Sequence, residues 1–398
     1  CYGIGLSNSL LALAQGTAGI SIVDASDPDA PAVLSSADTP GTARQVEFSG
    51  PLALVADGLE GLAVVDLATP NLPHLLSSFD TVGETRQVRR FGTRAYLAAG
   101  TSGLVGVELS NPSAPSLAST TPIPGLCRSL AIDGTVAAVA SYTTPADQGE
   151  LRLYDLASST PVLRGSLAFD ERAVWSDWHD GRVFVLTGDA ALGRGRLHVI
   201  DVGNLAAPVE IGSVEISGYP SGLAFDRELV YVASTEFQRG TVQVFCLVDP
   251  TAPRSVGDLA YRSDLGEIAV ANDVLYAART TGGLEIRAAQ CTAAAAPEGG
   301  LTEPRLSLSI APNPSSGPVL LRIAAARAAR SVDLSVIDAR GRMVRRTRLV
   351  PNAAGPVEWK WDGRDEQGRS VPSGAYFVRA AEGTDAVTRT VRILRTIR

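Results

Sequence analysis

The sequence predicts an all-β chain: a seven-bladed β-propeller followed by a small β-sandwich. Three observations carry that expectation. Residues 1–290 repeat themselves with spacings of 42 to 47 residues, the composition is rich in turn formers, and the charge reverses sign near residue 304. The chain has 398 residues, with 39 glycines, 24 prolines and a single methionine, so it favours many short strands joined by turns over long helices. With 45% hydrophobic and 19% charged residues, and no apolar run near the roughly 18 residues that span a bilayer, wholesale disorder and a helical membrane bundle are both excluded.

The repeat is anchored by strands that end in a carboxylate: GISIVD at Asp24, GLAVVD at Asp66, GLVGVE at Glu108, ELRLYD at Asp155 and RLHVID at Asp201. TVQVFC at Cys246 and GLEIRA at Ala288 complete seven copies. Each unit reads as four short strands; in the second copy they are RQVEFSG, LALVADG, GLAVVDL and HLLSSFD. From the carboxylate position to the turn before the following second strand (Gly50, Gly92, Gly134, Gly181, Arg227, Asn272) the distance is always 26, so length variation is confined elsewhere. It falls between the second and third strands of blades four, five and six, giving expected longer loops at 141–149, 187–195 and 234–240. Insertions grouped on one face commonly mark a binding surface. YGIGLSN aligns with the innermost strands, so LLALAQG reads as a blade strand. The seventh blade is expected to lack its fourth strand, which upstream residues would supply.

The segments SIVDASDP, AVVDLATP and VIDVGNLAAP are similar to the LVIVD-repeat family of bacterial and archaeal propellers. That resemblance covers about three quarters of the chain and implies the fold. It implies no particular reaction, since one fold hosts many functions.

Residues 291–303, CTAAAAPEGGLTE, have a linker's composition, and 304–398 form the second domain. The second domain holds 17 of the 35 basic residues and only 8 of the 42 acidic ones, whereas the rest of the chain is strongly acidic and repels nucleic acid phosphates. Strands at LSLSIAP, VLLRIAA, VDLSVIDARG, VEWKWDG, GAYFVRA and TRTVRIL predict an antiparallel sandwich. Asn313-Pro314, Asp338 with Gly341, Trp361-Asp362-Gly363, Gly368, Ser373-Gly374 and Tyr376 resemble the Ig-like domain of flagellar hook-capping proteins and, equally, the sorting domain of type IX secretion cargo. The second resemblance implies recognition of residues 304–398 by an export machinery and a location outside the cell or on its outer surface. Asp362, Asp365 and Glu366 lack the ligand spacing of a calcium loop and read as a hairpin turn.

Chemistry is sparse. Cys1, Cys127, Cys246 and Cys291 show no metal-ligand spacing, and the three histidines, His74, His179 and His198, do not converge. No cofactor is expected, and Asp24, Asp27 and Asp29 read as turn formers, with calcium the alternative. The residue six places before each turn forms a ring at the channel entrance: Tyr2, Arg44, Arg86, Arg128, Trp175, Ser221 and Gly266. Two duties compete for the arginines. They either staple blades by pairing with Asp38, Asp80 or Asp170, or they orient an anionic or sugar-like ligand together with Trp175 and the loop residues Tyr142, Asp189, Arg194, Phe237 and Arg239. The sequence thus reads as an exported, non-enzymatic binding or adhesion protein whose partner is a protein or a glycan. The alternatives are a secreted hydrolase or lyase acting on an anionic polymer, with Asp170 and Glu171 beside the arginines, and a structural part of an extracellular appendage.

Overall fold

The computed structural model describes residues 1–189, 191–289, 307–311, 318–324, 331–338, 342–350, 357–382 and 385–393. The chain divides into two compact units, Cys1–Ala294 and Ala295–Arg398. The linker expected at 291–303 lies outside the described residues, as do Asn313, Pro314 and Gly341.

The first unit contains seven antiparallel sheets laid down in sequence order, six of four strands and a seventh of three. It is the expected seven-bladed propeller. Within each blade the second and third strands are covered on both faces by neighbouring blades, which is why they are nearly continuous apolar runs: Leu52–Ala56 and Leu62–Asp66 in blade two are buried throughout except at their ends. Outer strands such as His74–Phe79 have no buried residue. All six complete blades carry a β-bulge between third and fourth strands, for example at Val64/Val65, which adds twist where the sheet meets solvent. Where a third strand ends in a carboxylate, that group then closes a turn. Asp24, Asp66, Asp155 and Asp201 accept the backbone N–H two residues on, at 2.7–2.9 Å. Blade seven comprises Leu265–Ala271, Val274–Arg279 and Gly283–Ala288, and its third strand is half-exposed where its counterparts are buried.

Closing seven sheets around a channel leaves each innermost strand with one unpaired edge. Side chains of the preceding blade cover it. Gln45 Oε1 accepts from Val88 N at 3.2 Å, Gln87 Oε1 from Leu130 N at 2.7 Å, and Ser129 Oγ from Ser176 N at 2.9 Å. Between blade seven and blade one the acceptor is Glu267, whose Oε2 takes the Ile4 N–H at 3.0 Å while its own N–H donates to Tyr2 O at 2.8 Å. Gly266 makes this seam possible, because a Cβ there would stand 2.3 Å from the Tyr2 carbonyl oxygen.

Four charged side chains on innermost strands of blades two, three, five and seven interact across the channel: Glu47, Arg89, Asp177 and Glu267. Arg89 Nη1 lies 3.5 Å from Glu47 Oε2. One guanidinium faces three carboxylates, and burial raises all three, Glu267 to about 7, with Arg89 opposing.

The second unit pairs a three-stranded sheet with a four-stranded one. Trp361 is its largest fully buried side chain; its Nε1 donates to Arg364 O at 2.9 Å and its ring meets Tyr376 edge-on at 5.5 Å. Asp362 and Asp365 accept backbone N–H groups of Arg364, Gln367 and Arg369, as expected of a turn.

Glu267 gives the propeller a pH dependence with a definite sign. Its acid binds a proton more tightly in the folded ring (about 7) than in the unfolded chain (4.5), so its contribution to stability declines as pH rises between those values and is level above them. The decline amounts to about 3 kcal/mol at most. Glu267→Gln keeps an acceptor for Ile4 N–H without titrating. Thermal unfolding of both proteins should show the parent's Tm falling relative to the variant's between pH 5 and pH 8, and a constant difference would refute the assignment.

Candidate functional site at the channel mouth

Each innermost strand is entered through a short connection, and the ring-position arginines lie at the end of these connections in blades two to four. The structure brings them together. Arg44 Nη2 donates to Glu84 Oε1 at 2.9 Å and Arg86 Nη2 to Glu84 Oε2 at 2.7 Å, so one carboxylate clamps two guanidinium groups. The predicted stapling partners are therefore corrected. Asp38, Asp80 and Asp170 do not pair with these arginines; Asp80 instead accepts the N–H of Val82 at 2.8 Å in its own connection. Glu84 takes the role because it sits two residues before Arg86, level with the forward reach of Arg44. The corresponding residue in blade four is Leu126, so the clamp cannot repeat.

Among the described residues Arg128 has no ion pair, and its guanidinium lies 5.9 Å from the Tyr142 ring centroid. Arg172 covers the same ring at 5.1 Å and is held by both oxygens of Asp147, at 2.8 and 3.0 Å. Arg44 completes the pattern over Tyr2 at 5.3 Å. Burial pulls the Arg86 guanidinium below its usual range, with Arg128 and Arg44 adding repulsion that Glu84 offsets in part. Burial raises the Tyr219 phenol, opposed by Arg128 and Arg172. The result is a continuous arc from Tyr2 through Arg44, Arg86, Arg128, Tyr142 and Arg172 to Tyr219. Its four guanidinium groups face two carboxylates, and Arg44 Nε and Trp175 Nε1 are buried donors with no acceptor among the described residues.

The expected long loops are mostly longer strands. Residues of 141–149, 187–195 and 234–240 extend the hairpins Val136–Tyr142/Gly149–Asp155, Arg182–Asp189/Arg194–Asp201 and Leu229–Glu236/Arg239–Cys246. Added residues pair in register, which satisfies their backbone groups better than a loose loop would. In blade six the connection shrinks to Phe237 and Gln238, both at positive φ, as a two-residue hairpin turn requires. Of the predicted loop residues only Tyr142 joins the arginines. Asp189 accepts the N–H groups of Ala191 and Leu192, while Arg194, Phe237 and Arg239 are exposed at hairpin ends, Phe237 being 92% exposed. Asp24 and Asp27 accept the backbone N–H groups of Ser26 and Asp29, and no group of three or more His, Cys, Asp or Glu side chains suited to a metal occurs among the described residues.

One arrangement escaped the sequence reading. In blade five His198 Nε2 lies 3.0 Å from Thr187 Oγ1 and its Nδ1 2.9 Å from Glu210 Oε2, the order of hydroxyl, imidazole and carboxylate found in hydrolytic triads. Two facts weigh against catalysis. Thr187 and His198 are buried, with Glu171 Oε2 already accepting the threonine hydroxyl at 2.9 Å. Blade four repeats the pair as Arg152 Nη1 donating to Ser141 Oγ at 2.6 Å, so the position serves to satisfy a buried hydroxyl. Burial lowers the His198 pKa, against the pull of Glu210.

Residues 40–81, 82–121 and 191–216 match the LVIVD repeat, and 311–386 match the FlgD Ig-like domain. No curated protein matches the chain. Among solved structures it is similar to the Kuenenia stuttgartiensis hydrazine synthase, at 13% identity and a TM-score of 0.58, covering 72% of this chain and 95% of that one. The Myceliophteria thermophila Cps50 (Swd1) β-propeller domain matches at 13% identity and a TM-score of 0.55, over 71% and 97% of the two chains. Saccharomyces cerevisiae Sqt1 matches at 11% identity and a TM-score of 0.54, over 82% and 93%. At such identities the likeness is one of fold, a β-propeller, to which the family match of 311–386 adds a C-terminal Ig-like domain.

The unequal clamping of the arginines predicts unequal mutational effects. The Arg44, Arg86 and Glu84 side chains are about 30% exposed, so Arg44→Ala or Arg86→Ala should lower stability by at most about 1 kcal/mol, because Glu84 keeps its second partner. Arg128→Ala relieves repulsion and should be neutral or stabilising by a few tenths of a kcal/mol. Glu84→Gln should be the most destabilising of the four in thermal unfolding. A loss on Arg128→Ala equal to that of Glu84→Gln would show an unrecognised carboxylate partner.

Proposed function

We propose that this is an exported, surface-associated, non-enzymatic binding protein. Its propeller presents the channel mouth to a partner, and its basic Ig-like domain serves sorting or anchoring. The observation that carries this reading is the arc itself. Repelling arginines held at the rim of an otherwise acidic propeller stabilise the fold little, yet offer a bound anion several forked donors at once. The burial of Thr187 and His198 supports binding over hydrolysis. The match of 311–386 to the FlgD Ig-like domain supports a role outside the cell for the second unit. A scaffold role is also in keeping with a similarity, at 12% identity and a TM-score of 0.58, to a chain of the mitotic checkpoint complex, by its name an assembly of proteins.

Two measurements test the parts separately. In a bacterium with a type IX export system, the full chain should reach the cell surface and a chain ending at residue 303 should remain inside. Equal surface labelling of both would remove the sorting role. In a surface-binding assay, the triple variant Arg44→Ala, Arg86→Ala, Arg128→Ala should lose at least tenfold in retention while keeping the parent's circular dichroism. Unchanged retention would move the binding face elsewhere.

A further inference from the structure

We propose that the partner at the channel mouth is an acidic polysaccharide, recognised through carboxylate or sulfate groups borne on sugar rings; this rests on the mouth being the binding face. The argument is one of hydrogen-bond supply. Both carboxylates in the arc are fully committed: Glu84 gives one oxygen to Arg44 and the other to Arg86, and Asp147 gives both to Arg172. Arg128 is uncommitted to any carboxylate among the described residues, and Arg44 Nε and Trp175 Nε1 are buried donors without acceptors among them. The site therefore supplies donors and demands acceptors.

A peptide brings an N–H at nearly every residue and would find few acceptors here, leaving its own donors unpaired as it is buried. A polyanionic glycan brings ring, hydroxyl and acid oxygens, and its hydroxyl protons can turn toward solvent. Forked guanidinium groups suit the planar carboxylate of a uronic acid and the oxygens of a sulfate ester alike. Tyr2 and Tyr142 are already covered by arginines, but the half-buried rings of Trp175 and Tyr219, packed on the same core between blades five and six, provide apolar surface for the face of a sugar. The arc crosses several blades, which matches an extended chain of sugars better than a single small ion.

The test uses the full chain with four probes: polygalacturonate, dextran sulfate, neutral dextran and poly-L-glutamate, in calorimetry at low and moderate salt. Polygalacturonate or dextran sulfate should bind, each identifying its acid group, with affinity falling as salt rises. Neutral dextran should not bind. Arg128→Gln should weaken binding at least tenfold with an unchanged Tm, and Trp175→Leu should weaken polysaccharide binding several-fold. Binding of poly-L-glutamate as tight as that of either polysaccharide would overturn the glycan assignment while leaving the mouth as the binding face. The same holds if no polyanion binds but the arginine variants still lose surface retention. Failure of both assays removes the mouth reading itself.

Discussion

The propeller depends on how it treats the channel-side edge of its innermost strands. A strand edge in a closed ring cannot find another strand to pair with, and its N–H groups are too buried to be left to bulk water. At four interfaces the protein answers with a side-chain acceptor supplied by the blade before: glutamine twice, then serine, then glutamate at the junction of the last blade with the first. These groups set the spacing between blades and so fix where the following connections enter the channel. The arginine arc inherits its geometry from them. Arg44 and Arg86 stand immediately before innermost strands, and Arg128 at the register shift near the start of Leu126–Asp133, so the placing of these strands places the arginines.

Charge is arranged in opposite senses along this axis. At the mouth guanidinium groups outnumber carboxylates, and inside the channel three carboxylates surround Arg89. Neither arrangement is the most stable one available. The mouth retains repulsion that a second acid beside Arg128 would relieve, and the channel retains acids that burial pushes toward protonation. Uncompensated charge at a rim is consistent with a site completed by something other than the protein.

Much of the architecture was legible in the sequence because a constant distance of 26 residues between carboxylate and turn can only arise from a repeated unit. The level of the three arginines followed from the same count. Their partner did not. Glu84 precedes Arg86 by two residues and serves Arg44 from the neighbouring blade, a cross-blade contact that counting within one unit does not reveal; the available signal was an acid two residues before Arg86 where the flanking blades have Thr42 and Leu126. The hairpin extensions were misread as loops although Arg182–Asp189 and Arg194–Asp201 pair in register to their ends, since glycines near the tip resemble turn formers. His198 was legible as a strand residue, but its link to Glu210 depends on a bulge at Val199/Ile200 that shifts the outer strand, and bulges leave little trace in composition.

The edge acceptors also bear on how such a ring changes over time. Because the acceptor changes along the ring, from glutamine in blades two and three to serine in blade four and glutamate in blade seven, and because Gly3 and Gly5 in blade one leave room for the backbone of blade two at 2.5 and 2.8 Å from where a Cβ would lie, the blades are no longer interchangeable copies. A duplicated or transplanted blade would meet an acceptor of the wrong length or a backbone without space for it. Repeats that began alike have become an ordered series, so recombination among them is disfavoured while substitution at the hairpin tips remains open.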